Sequence, residues 1–406
     1  MIPFDQLENF IQTHITHRKE SLLAPDLKQF NIQLSENINE KNVLVIGGAG
    51  TIGSWYIKAL LKYKPRKLVV VDINENGLTE LVRDLRSSLD YHIPETFITY
   101  PVNFSDPVFK KILDFHGPFH IVSNFAAHKH VRSEKDVFSI EAMIENNVFR
   151  TFKLIQQISE TPVEHFFCVS TDKAANPVNI MGASKKLMEE LLISYSSTVP
   201  ITTARFANVA FSNGSLPAGF LERLSKKQPW SCPRNIRRFF VSPRESGELC
   251  LIASLLGNSG EIFFPKLDPD KDMISFETIA IDLLQHLGYT PDICTSEEEA
   301  RIKAQDQLQN SNKYPIYLFD SDTSGEKPYE EFFVDDELLD LNRFQSLGVV
   351  VNKKPRPISE IEKIINQLNK LFLSTSITKS DVVEVLKQYL PNFSHHETGK
   401  GLDSKM

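Results

Sequence analysis

Short apolar segments that alternate with helical segments, and a glycine-rich motif directly after the first of them, predict an α/β protein. The predicted architecture is a Rossmann-type doubly wound parallel sheet, with a smaller C-terminal lobe and extra helices at both ends. The chain has 406 residues, which is enough for one large domain with additions or for two domains. Strands that alternate with helices imply right-handed crossovers and a sheet covered on both faces.

Six apolar segments in the first half of the chain carry the strand prediction. They are NVLVIGG from residue 42, KLVVVD from 67, TFITYPVN from 96, HIVSNFAA from 120, HFFCVST from 165 and ITTARFANV from 201. The first two are followed by helical patterns, TIGSWYIKALLKY and NGLTELVRDLRSSL. Each apolar segment is short and continuous, as expected for a strand buried in a parallel sheet.

The pattern divides the chain into four parts. Residues 1–40 are predicted to form a helical arm, with Phe4, Leu7 and Phe10 at helical spacing, and residues 41–215 the main domain. Residues 216–335 are predicted to form a smaller lobe with parts of the sheet, and the short strand GEIFFP is expected between the helices of this lobe. Residues 336–406 are predicted to contain amphipathic helices and a polar tail, SHHETGKGLDSKM, which we expect to be disordered.

Composition excludes several classes of function. The net charge of −7 argues against a nucleic-acid partner, because a phosphate backbone requires a basic face. A few local arginines could still hold a small anionic ligand. The four cysteines form no CxxC pair and lie near no histidine ladder, so no metal site is predicted. The N-terminus lacks the signal-peptide pattern and no apolar stretch is long enough to span a bilayer, so we expect a cytoplasmic protein.

The motif GxxGxxG indicates a dinucleotide site. Gly47, Gly50 and Gly53 follow the first strand, at the start of a helix. Thr51 and Ile52, which lie between the last two glycines, are expected to contact the cofactor as well. A tight turn, close approach to a pyrophosphate and close helix–sheet packing each require a missing side chain. The helix N-terminus supplies amide donors and a positive dipole end for phosphates.

The second strand ends in Asp72, about 20 residues after the loop, where a carboxylate accepts hydrogen bonds from the adenosine ribose and repels a 2′-phosphate. This position favours NAD over NADP, although Arg83 and Arg86 on the next helix could reach a phosphate. Asn103, after the third strand, is placed to contact the adenine or to form a plain turn. Two further cofactor contacts are expected at the end of the fourth strand, Ala126 and Ala127.

The segment STDKAANPVNIMGASK, residues 170–185, is specific enough to indicate a family. It resembles the CapD-like polysaccharide biosynthesis family of nucleotide-sugar 4,6-dehydratases, within the extended short-chain dehydrogenase/reductases. Supporting matches are AAHKHV from 126, NNVFRT from 146, RFANVAFSNGS from 205, RRFFVS from 237 and GEKPYEEF from 325. The resemblance covers roughly residues 41–335. The chain departs from the family pattern at Arg150, at Ala207 and at Thr323-Ser324.

The resemblance implies NAD-dependent 4,6-dehydration of a nucleotide sugar such as UDP-N-acetylglucosamine, in surface polysaccharide or glycan biosynthesis. The implied proton-transfer residues are Thr171, Asp172 and Lys173. We assign Lys173 as the C5 base and Asp172 as the acid for the departing hydroxyl, although two adjacent titrating groups can exchange these roles. Lys185 is expected to contact the nicotinamide ribose. Met181 stands four residues earlier, where many relatives carry tyrosine, and is expected only to shape the pocket.

The implied substrate-binding residues are Lys129, His130, Arg205, Asn208 and Arg238, on the grounds that ligands bind at the carboxyl ends of the strands. Two other hypotheses stay open: a nucleotide-sugar epimerase of the same fold, and a regulator that binds NAD or a sugar nucleotide without turnover. The sequence does not decide between UDP and GDP. A homo-oligomer is expected by analogy with the superfamily.

Overall fold

A computed structural model describes residues 3–307, 311–321, 325, 327, 329–351 and 353–397. The departure at Thr323-Ser324 and residues 398–406 of the predicted tail lie outside the described residues. The described strands are β1 Asn42–Ile46, β2 Lys67–Asp72, β3 Thr96–Pro101, β4 Ile121–Asn124, β5 His165–Val169, β6 Ile201–Ala204, β7 Asn208–Val209, β8 Trp230–Pro233, β9 Arg237–Val241, β10 Glu261–Pro265, β11 Met273–Ser275, β12 Thr290–Cys294, β13 Lys313–Phe319, β14 Leu339–Asp340 and β15 Leu347–Val350.

The α-helices of the same residues are α1 Phe4–Phe10, α2 Ala24–Gln29, α3 Asn31–Ile38, α4 Thr51–Leu61, α5 Glu75–Ser87, α6 Pro107–His116, α7 Val137–Ile144, α8 Arg150–Ser159, α9 Ile180–Ser194, α10 Leu216–Ser225, α11 Pro243–Leu256, α12 Phe276–His286, α13 Glu297–Gln307, α14 Ile358–Phe372 and α15 Lys379–Tyr389. Within this part of the chain, no helix combines the length and the apolarity needed to cross a membrane.

Nine of the described strands form one sheet, in the order β14-β15-β10-β6-β5-β4-β1-β2-β3. The strands from β1 to β6 are parallel and have the doubly wound order, with β1 beside both β2 and β4. Alternating side chains of β1 point to opposite faces: Leu44 and Ile46 pack in one core, whereas Val43 and Val45 pack in the other. The predicted fold class is therefore confirmed.

Two helical layers cover this sheet. Helices α3, α4, α5 and α11 pack on one face, and α6, α7, α8, α9, α14 and α15 pack on the other. The closest helix contact of the first layer is at Gly247 of α11, where a Cβ atom would lie 2.3 Å from the backbone carbon of Trp55 in α4. Only glycine permits this approach, so α11 and α4 are held backbone to backbone.

The sheet extends further than the sequence predicts. The strand GEIFFP, expected in the C-terminal lobe, is β10 and pairs in parallel with β6 of the main sheet. Strands β14 and β15 then add to it in antiparallel orientation, in a region for which only helices and a tail are predicted. Conversely, ITTARFANV divides into β6 and β7, and β7 joins a separate sheet with β9 and β11. Both residues 216–335 and residues 336–406 thus contribute strands to the main sheet. The division of the chain into four parts stays a prediction.

The second half and the N-terminus build the lobe beside the sheet. Strands β12, β13 and β8 form a small parallel sheet. The N-terminal segment is helical, as predicted, and forms three α-helices with a π-helical turn at Ile11–Ile15 after α1. Phe10, Ile11 and Ile15 are buried against the lobe, in the same core as Phe220 and Trp230. The arm is therefore part of the lobe's core.

The C-terminal helices cover α9, the helix that carries Lys185. Every residue of α9 except Lys186 is buried within the single chain. Helices α14 and α15 supply part of that cover, and the ring of Phe372 lies 6.3 Å from that of Phe149. The prediction of a disordered tail is wrong for residues 394–397, because the amides of Ser394 and His396 donate to the carbonyls of Pro177 and Val178.

A buried ionic network joins three parts of the fold. Arg205 follows β6 and is 0% exposed. Its guanidinium donates to both carboxylate oxygens of Glu189 in α9, at 3.0 and 2.8 Å, and to both of Glu337, at 2.6 and 2.7 Å. It also donates to the carbonyl of Phe332 at 2.9 Å. Burial alone would raise the pKa of Glu189, but the Arg205 charge and hydrogen bonds outweigh it and lower that pKa to about 2.

Removing this arginine should destabilise the whole chain. We expect Arg205→Ala to cost about 3–5 kcal/mol in the free energy of unfolding, because two buried carboxylates lose their partner. The matched control is Arg301→Ala, which removes an exposed pair with Glu297 on α13 and should cost about 0.5 kcal/mol or less. Denaturant titrations of the three proteins measure both values. Equal losses for the two variants would contradict the structural role of Arg205.

Candidate active site

The turn between β1 and α4 is held tightly against the end of β4. Gly47 has a φ of +76°, and a Cβ atom there would lie 2.6 Å from the amide nitrogen of Ala126. A Cβ atom at Gly53 would lie 2.3 Å from the carbonyl oxygen of Gly47. Both positions therefore require glycine for the fold, and the predicted residues Gly47, Gly53 and Ala126 lie together.

Gly50 is different, because a Cβ atom there would make only one ordinary contact, 3.5 Å from the Gly47 carbonyl oxygen. Gly50 precedes the first turn of α4 and provides no side-chain cap for that turn. The first amides of a helix have no partner within it, and those of α4 belong to Thr51, Ile52 and Gly53. A helix end of this kind, next to open space, fits a phosphate group.

Asp72 anchors the glycine loop as well as ending β2. One carboxylate oxygen accepts from the amide of Ala49 at 2.9 Å, and the other accepts from the amide of Asn74 at 2.9 Å. Each oxygen can accept a further hydrogen bond, so a ribose contact is compatible with this arrangement. The two arginines considered for a 2′-phosphate have other neighbours: Arg83 pairs with Glu80, and Arg86 lies over the ring of Phe97.

The remaining predicted cofactor residues are Asn103, Ala126 and Ala127, which follow β3 and β4. Asn103 uses its side-chain oxygen within its own turn, where it accepts from the amide and the hydroxyl of Ser105. The structure thus favours the turn interpretation of Asn103 over an adenine contact. Ala126 is positioned by Asn124, the last residue of β4, whose side-chain oxygen accepts from the Ala126 amide at 3.0 Å. Ala127 follows it at the same strand end.

The predicted proton-transfer residues form a compact group after β5. Asp172 is buried, and one of its oxygens accepts from the Thr171 hydroxyl at 2.8 Å, from the Lys173 amide at 2.9 Å and from Lys173 Nζ at 3.1 Å. Burial alone would lower the pKa of Lys173, but the carboxylates of Asp172 and Glu330 outweigh it and raise that pKa. The two carboxylates therefore favour the ammonium form of Lys173, whereas a residue that removes the C5 proton has to be a neutral amine.

Met181 and Lys185 both lie in α9 and are buried. Lys185 Nζ donates to the carbonyl of Val169 at 2.7 Å and lies 3.2 Å from the sulfur of Met188. Val169 ends β5, so the lysine reaches the strand that leads to Thr171. Burial lowers the pKa of Lys185. Met181 packs in the core under the sheet, and its amide donates to Glu134 at 2.9 Å.

The loops after β4 and β7 meet the glycine loop. Lys129 Nζ donates to the carbonyl of Asn213 at 2.8 Å, and the amide of Asn213 donates to the Thr51 hydroxyl at 3.0 Å. His130 borders the same loop, since a Cβ atom at Gly214 would lie 3.0 Å from its ring. These contacts bring Lys129 and His130 to the carboxyl edge of the sheet, as expected for residues near a bound ligand.

The other three predicted substrate residues have different outcomes. Arg205 cannot contact a substrate in this structure, because it is fully buried and its donors are used by Glu189, Glu337 and Phe332; this prediction is corrected. Arg238 is also buried, and its Nη1 atom donates to the carbonyls of Arg237 and Lys327. Asn208 begins β7 and is partly exposed.

Two features of the site are missing from the sequence interpretation. The first is Glu330, a buried carboxyl whose Oε1 lies 3.7 Å from Lys173 Nζ. It stands inside GEKPYEEF, but the adjacent glutamates and phenylalanines of residues 329–333 show no alternation of polar and apolar residues, so the sequence gives no signal that Glu330 points inward. The second is a cavity between the N-terminal arm and the glycine loop, lined by residues that include Phe4, Arg18, Ala49, Thr51, Trp55 and Phe211. The proton-transfer group does not line it, so the cavity is separate from that chemistry.

Comparison of the sequence with known protein families identifies the family of this chain. The profile described as polysaccharide biosynthesis protein matches residues 43–351. The chain belongs to this polysaccharide biosynthesis family. Among curated relatives of the family, an uncharacterized membrane protein of Methanocaldococcus jannaschii, MJ1061, is 31% identical over 89% of this chain and 98% of its own length. The capsular polysaccharide biosynthesis protein CapD of Staphylococcus aureus is 27% identical over 77% of this chain, which spans 51% of CapD.

Proteins similar to this chain carry two named activities. A UDP-N-acetylglucosamine 4,6-dehydratase (inverting) of Campylobacter jejuni is 29% identical over 56% of this chain and 68% of its own length. A UDP-glucose 4-epimerase of Rickettsia rickettsii is also 29% identical, over 56% of this chain and 66% of its own. The X-ray structure of Pen from Bacillus thuringiensis has a TM-score of 0.60 at 23% identity and covers 82% of this chain and 98% of its own, which supports the fold.

The glycine loop can be tested by two substitutions with opposite outcomes. We expect Gly50→Val to leave the protein folded and to abolish dinucleotide binding, since the new side chain fills the space in front of the α4 amides. Gly53→Val should instead lower the unfolding temperature, because its side chain meets the Gly47 carbonyl. Calorimetric titration with NAD and thermal unfolding distinguish the two. Normal NAD affinity in folded Gly50→Val would refute the phosphate-binding role of this helix end.

Proposed function

We propose that the protein is an NAD-dependent nucleotide-sugar 4,6-dehydratase that acts on UDP-N-acetylglucosamine and forms a 4-keto-6-deoxy sugar nucleotide for surface polysaccharide or glycan biosynthesis. The observation that carries the proposal is the Thr171-Asp172-Lys173 group after β5, with methionine at position 181. Two adjacent ionisable residues can supply both an acid and a base. The methionine has no proton to transfer, so this group must carry that work.

The cofactor is proposed to be NAD, held by the glycine loop and Asp72. The open space at Gly50 and the first amides of α4 suit the pyrophosphate, and Asp72 suits the adenosine ribose. When bound, NAD would supply the redox chemistry: the hydride removed from C4 of the sugar is the one returned to C6, so no second redox substrate is needed. The pairing of Arg83 with Glu80 and the position of Arg86 over Phe97 support NAD over NADP.

The chain's own residues account for the proton transfers. Thr171 would hydrogen-bond the C4 oxygen of the sugar. In the reaction, one proton would have to pass from Lys173 to Asp172 along their 3.1 Å hydrogen bond, against the charges that raise the pKa of Lys173, leaving an amine and a carboxylic acid with the same total of protons. The amine would take the C5 proton, and the acid would protonate the C6 hydroxyl as it leaves as water. The family similarity to a named dehydratase supports this sequence of steps.

A nucleotide-sugar epimerase is the second candidate, because a curated UDP-glucose 4-epimerase matches this chain at the same identity as the dehydratase. An epimerase would oxidise C4 or deprotonate C5 without losing water. The two activities therefore give products of different mass. A regulator that binds NAD or a sugar nucleotide without turnover would give neither product.

The deciding experiment incubates the purified protein and NAD with a panel of UDP- and GDP-sugars and analyses each product by mass spectrometry. Loss of one water from UDP-N-acetylglucosamine is the expected result. A product of unchanged mass but altered chromatographic position would favour the epimerase. Binding of NAD without any product from the panel would favour the regulator and refute the proposal.

The role of the proton-transfer group predicts a contrast between two side chains, the buried Met181 and the half-buried Lys173. Met181→Leu should change turnover only slightly, because it keeps a similar volume and removes no proton donor. Lys173→Ala should lower turnover by about 10²–10⁴-fold, the usual contribution of a positioned acid or base, and should block exchange of the C5 hydrogen with solvent deuterium. Rates of water loss and deuterium incorporation measure both. Normal turnover in Lys173→Ala, or equal damage by both changes, would contradict this mechanism.

A homo-oligomer and a cytoplasmic location stay predictions. Helices α14 and α15 of the same chain cover part of α9, so this helix offers little free surface to a partner. Light scattering at micromolar concentrations should show a species larger than the 46.2 kDa chain. A single 46.2 kDa species at every concentration would exclude the oligomer.

A further inference from the structure

The segment that ends the C-terminal lobe places one glutamate in an inward position. Side chains alternate from Tyr329 to Phe333: Tyr329, Glu331 and Phe333 are exposed, whereas Glu330 and Phe332 are 4% and 6% exposed. This is the alternation of an extended chain with one buried face. Phe332 occupies its inward position as an apolar residue should. Glu330 is different, because the burial of a carboxyl costs free energy unless charged or polar partners compensate.

The neighbours of Glu330 are the residues of the proton-transfer group. Lys173 Nζ lies 3.7 Å from Glu330 Oε1 and 3.1 Å from Asp172 Oδ1, so one ammonium faces two buried carboxyls. The Lys173 side chain also feels the charge of Arg238, and Glu330 feels those of Asp172, Arg238 and Lys327. Burial raises the pKa of Glu330, with Asp172 acting in the same direction and Lys173 against it.

The segment around Glu330 is fixed on both sides. The carbonyl of Phe332 accepts from buried Arg205, and the Phe332 ring lies 5.2 Å from that of Phe239. On the other side, Lys327 donates to the carbonyl of Asn176, whose side chain donates to Glu331 at 3.3 Å. Asn176 lies three residues after Lys173. The position of Glu330 opposite Lys173 is thus set by contacts that neither residue makes itself.

We propose that Glu330 is a positioning residue of the reaction centre, which acts through Lys173 by holding its ammonium from the side opposite Asp172 and setting the pH at which that ammonium loses its proton. The link to catalysis rests on the proposed dehydratase function. The electrostatic link to Lys173 does not, because it depends only on the distances between the three side chains. Removing the Glu330 charge should make Lys173 easier to deprotonate, since an opposite charge at this distance favours the charged form.

The test compares Glu330→Gln with wild type in the full-length protein, without substrate. Trace labelling with acetic anhydride across a series of pH values, followed by mass spectrometry of the Lys173 peptide, reports the pH at which the amine forms. Glu330→Gln should move this pH downward by about one to three units. Glu330→Asp keeps the charge but shortens the side chain, so its labelling curve should lie between those of Glu330→Gln and wild type. In the same variants, the pH profile of water loss should shift in the same direction as the labelling curve.

The matched control is Glu331→Gln, at the residue next to Glu330. It removes an exposed carboxylate that pairs with Lys327. It should leave the labelling curve of Lys173 at its wild-type position. An unshifted Lys173 curve in Glu330→Gln, with or without a lower unfolding temperature, would overturn the proposal and leave Glu330 a purely structural residue. Absence of water loss in the wild type would refute the proposed function only, because the labelling measurement needs no turnover.

Discussion

The buried guanidinium of Arg205 is the constraint on which the arrangement of this site depends. It is fully buried, so its charge must be matched inside the protein, and the structure matches it with two carboxylates from distant parts of the chain. Glu189 comes from α9 and also accepts from the Ser170 hydroxyl at 2.7 Å, immediately before Thr171. Glu337 comes from the segment that carries Glu330. One arginine therefore fixes the helix, the strand end and the last segment of the lobe relative to one another.

Two lysines near the same strand, the half-buried Lys173 and the buried Lys185, differ in the charges that surround them. Lys173 faces Asp172 and Glu330, and these charges raise its pKa in spite of burial. Lys185 is held by a backbone carbonyl and a thioether, which carry no net charge, and burial lowers its pKa. In a low-dielectric interior the identity of the nearest charged group decides the direction of the change. The same site therefore offers one lysine held as an ammonium and another whose charged form is disfavoured.

The N-terminal arm and the C-terminal helices α14 and α15 are both part of the protein's cores. The N-terminal arm contributes Phe10, Ile11 and Ile15 to the core of the lobe. It also forms one wall of the cavity beside the glycine loop. At the other end, α14 and α15 close the layer over α9, and residues 394–397 pair with the loop between the proton-transfer group and that helix. Both ends thus border the segments that carry the candidate active site.

The sequence by itself determined the fold class, the glycine loop, the family and the adjacent Thr171, Asp172 and Lys173. Each of these depends on local features: apolar runs of strand length, glycines at fixed spacing, or a contiguous motif. The tertiary structure alone decided that Arg205 is a structural ion, that Glu330 faces Lys173, and that β10, β14 and β15 extend the main sheet. An arginine after a strand looks the same in sequence whether it meets a phosphate or two buried glutamates. The distinction depends on partners 16 and 132 residues away, which only the folded chain brings together.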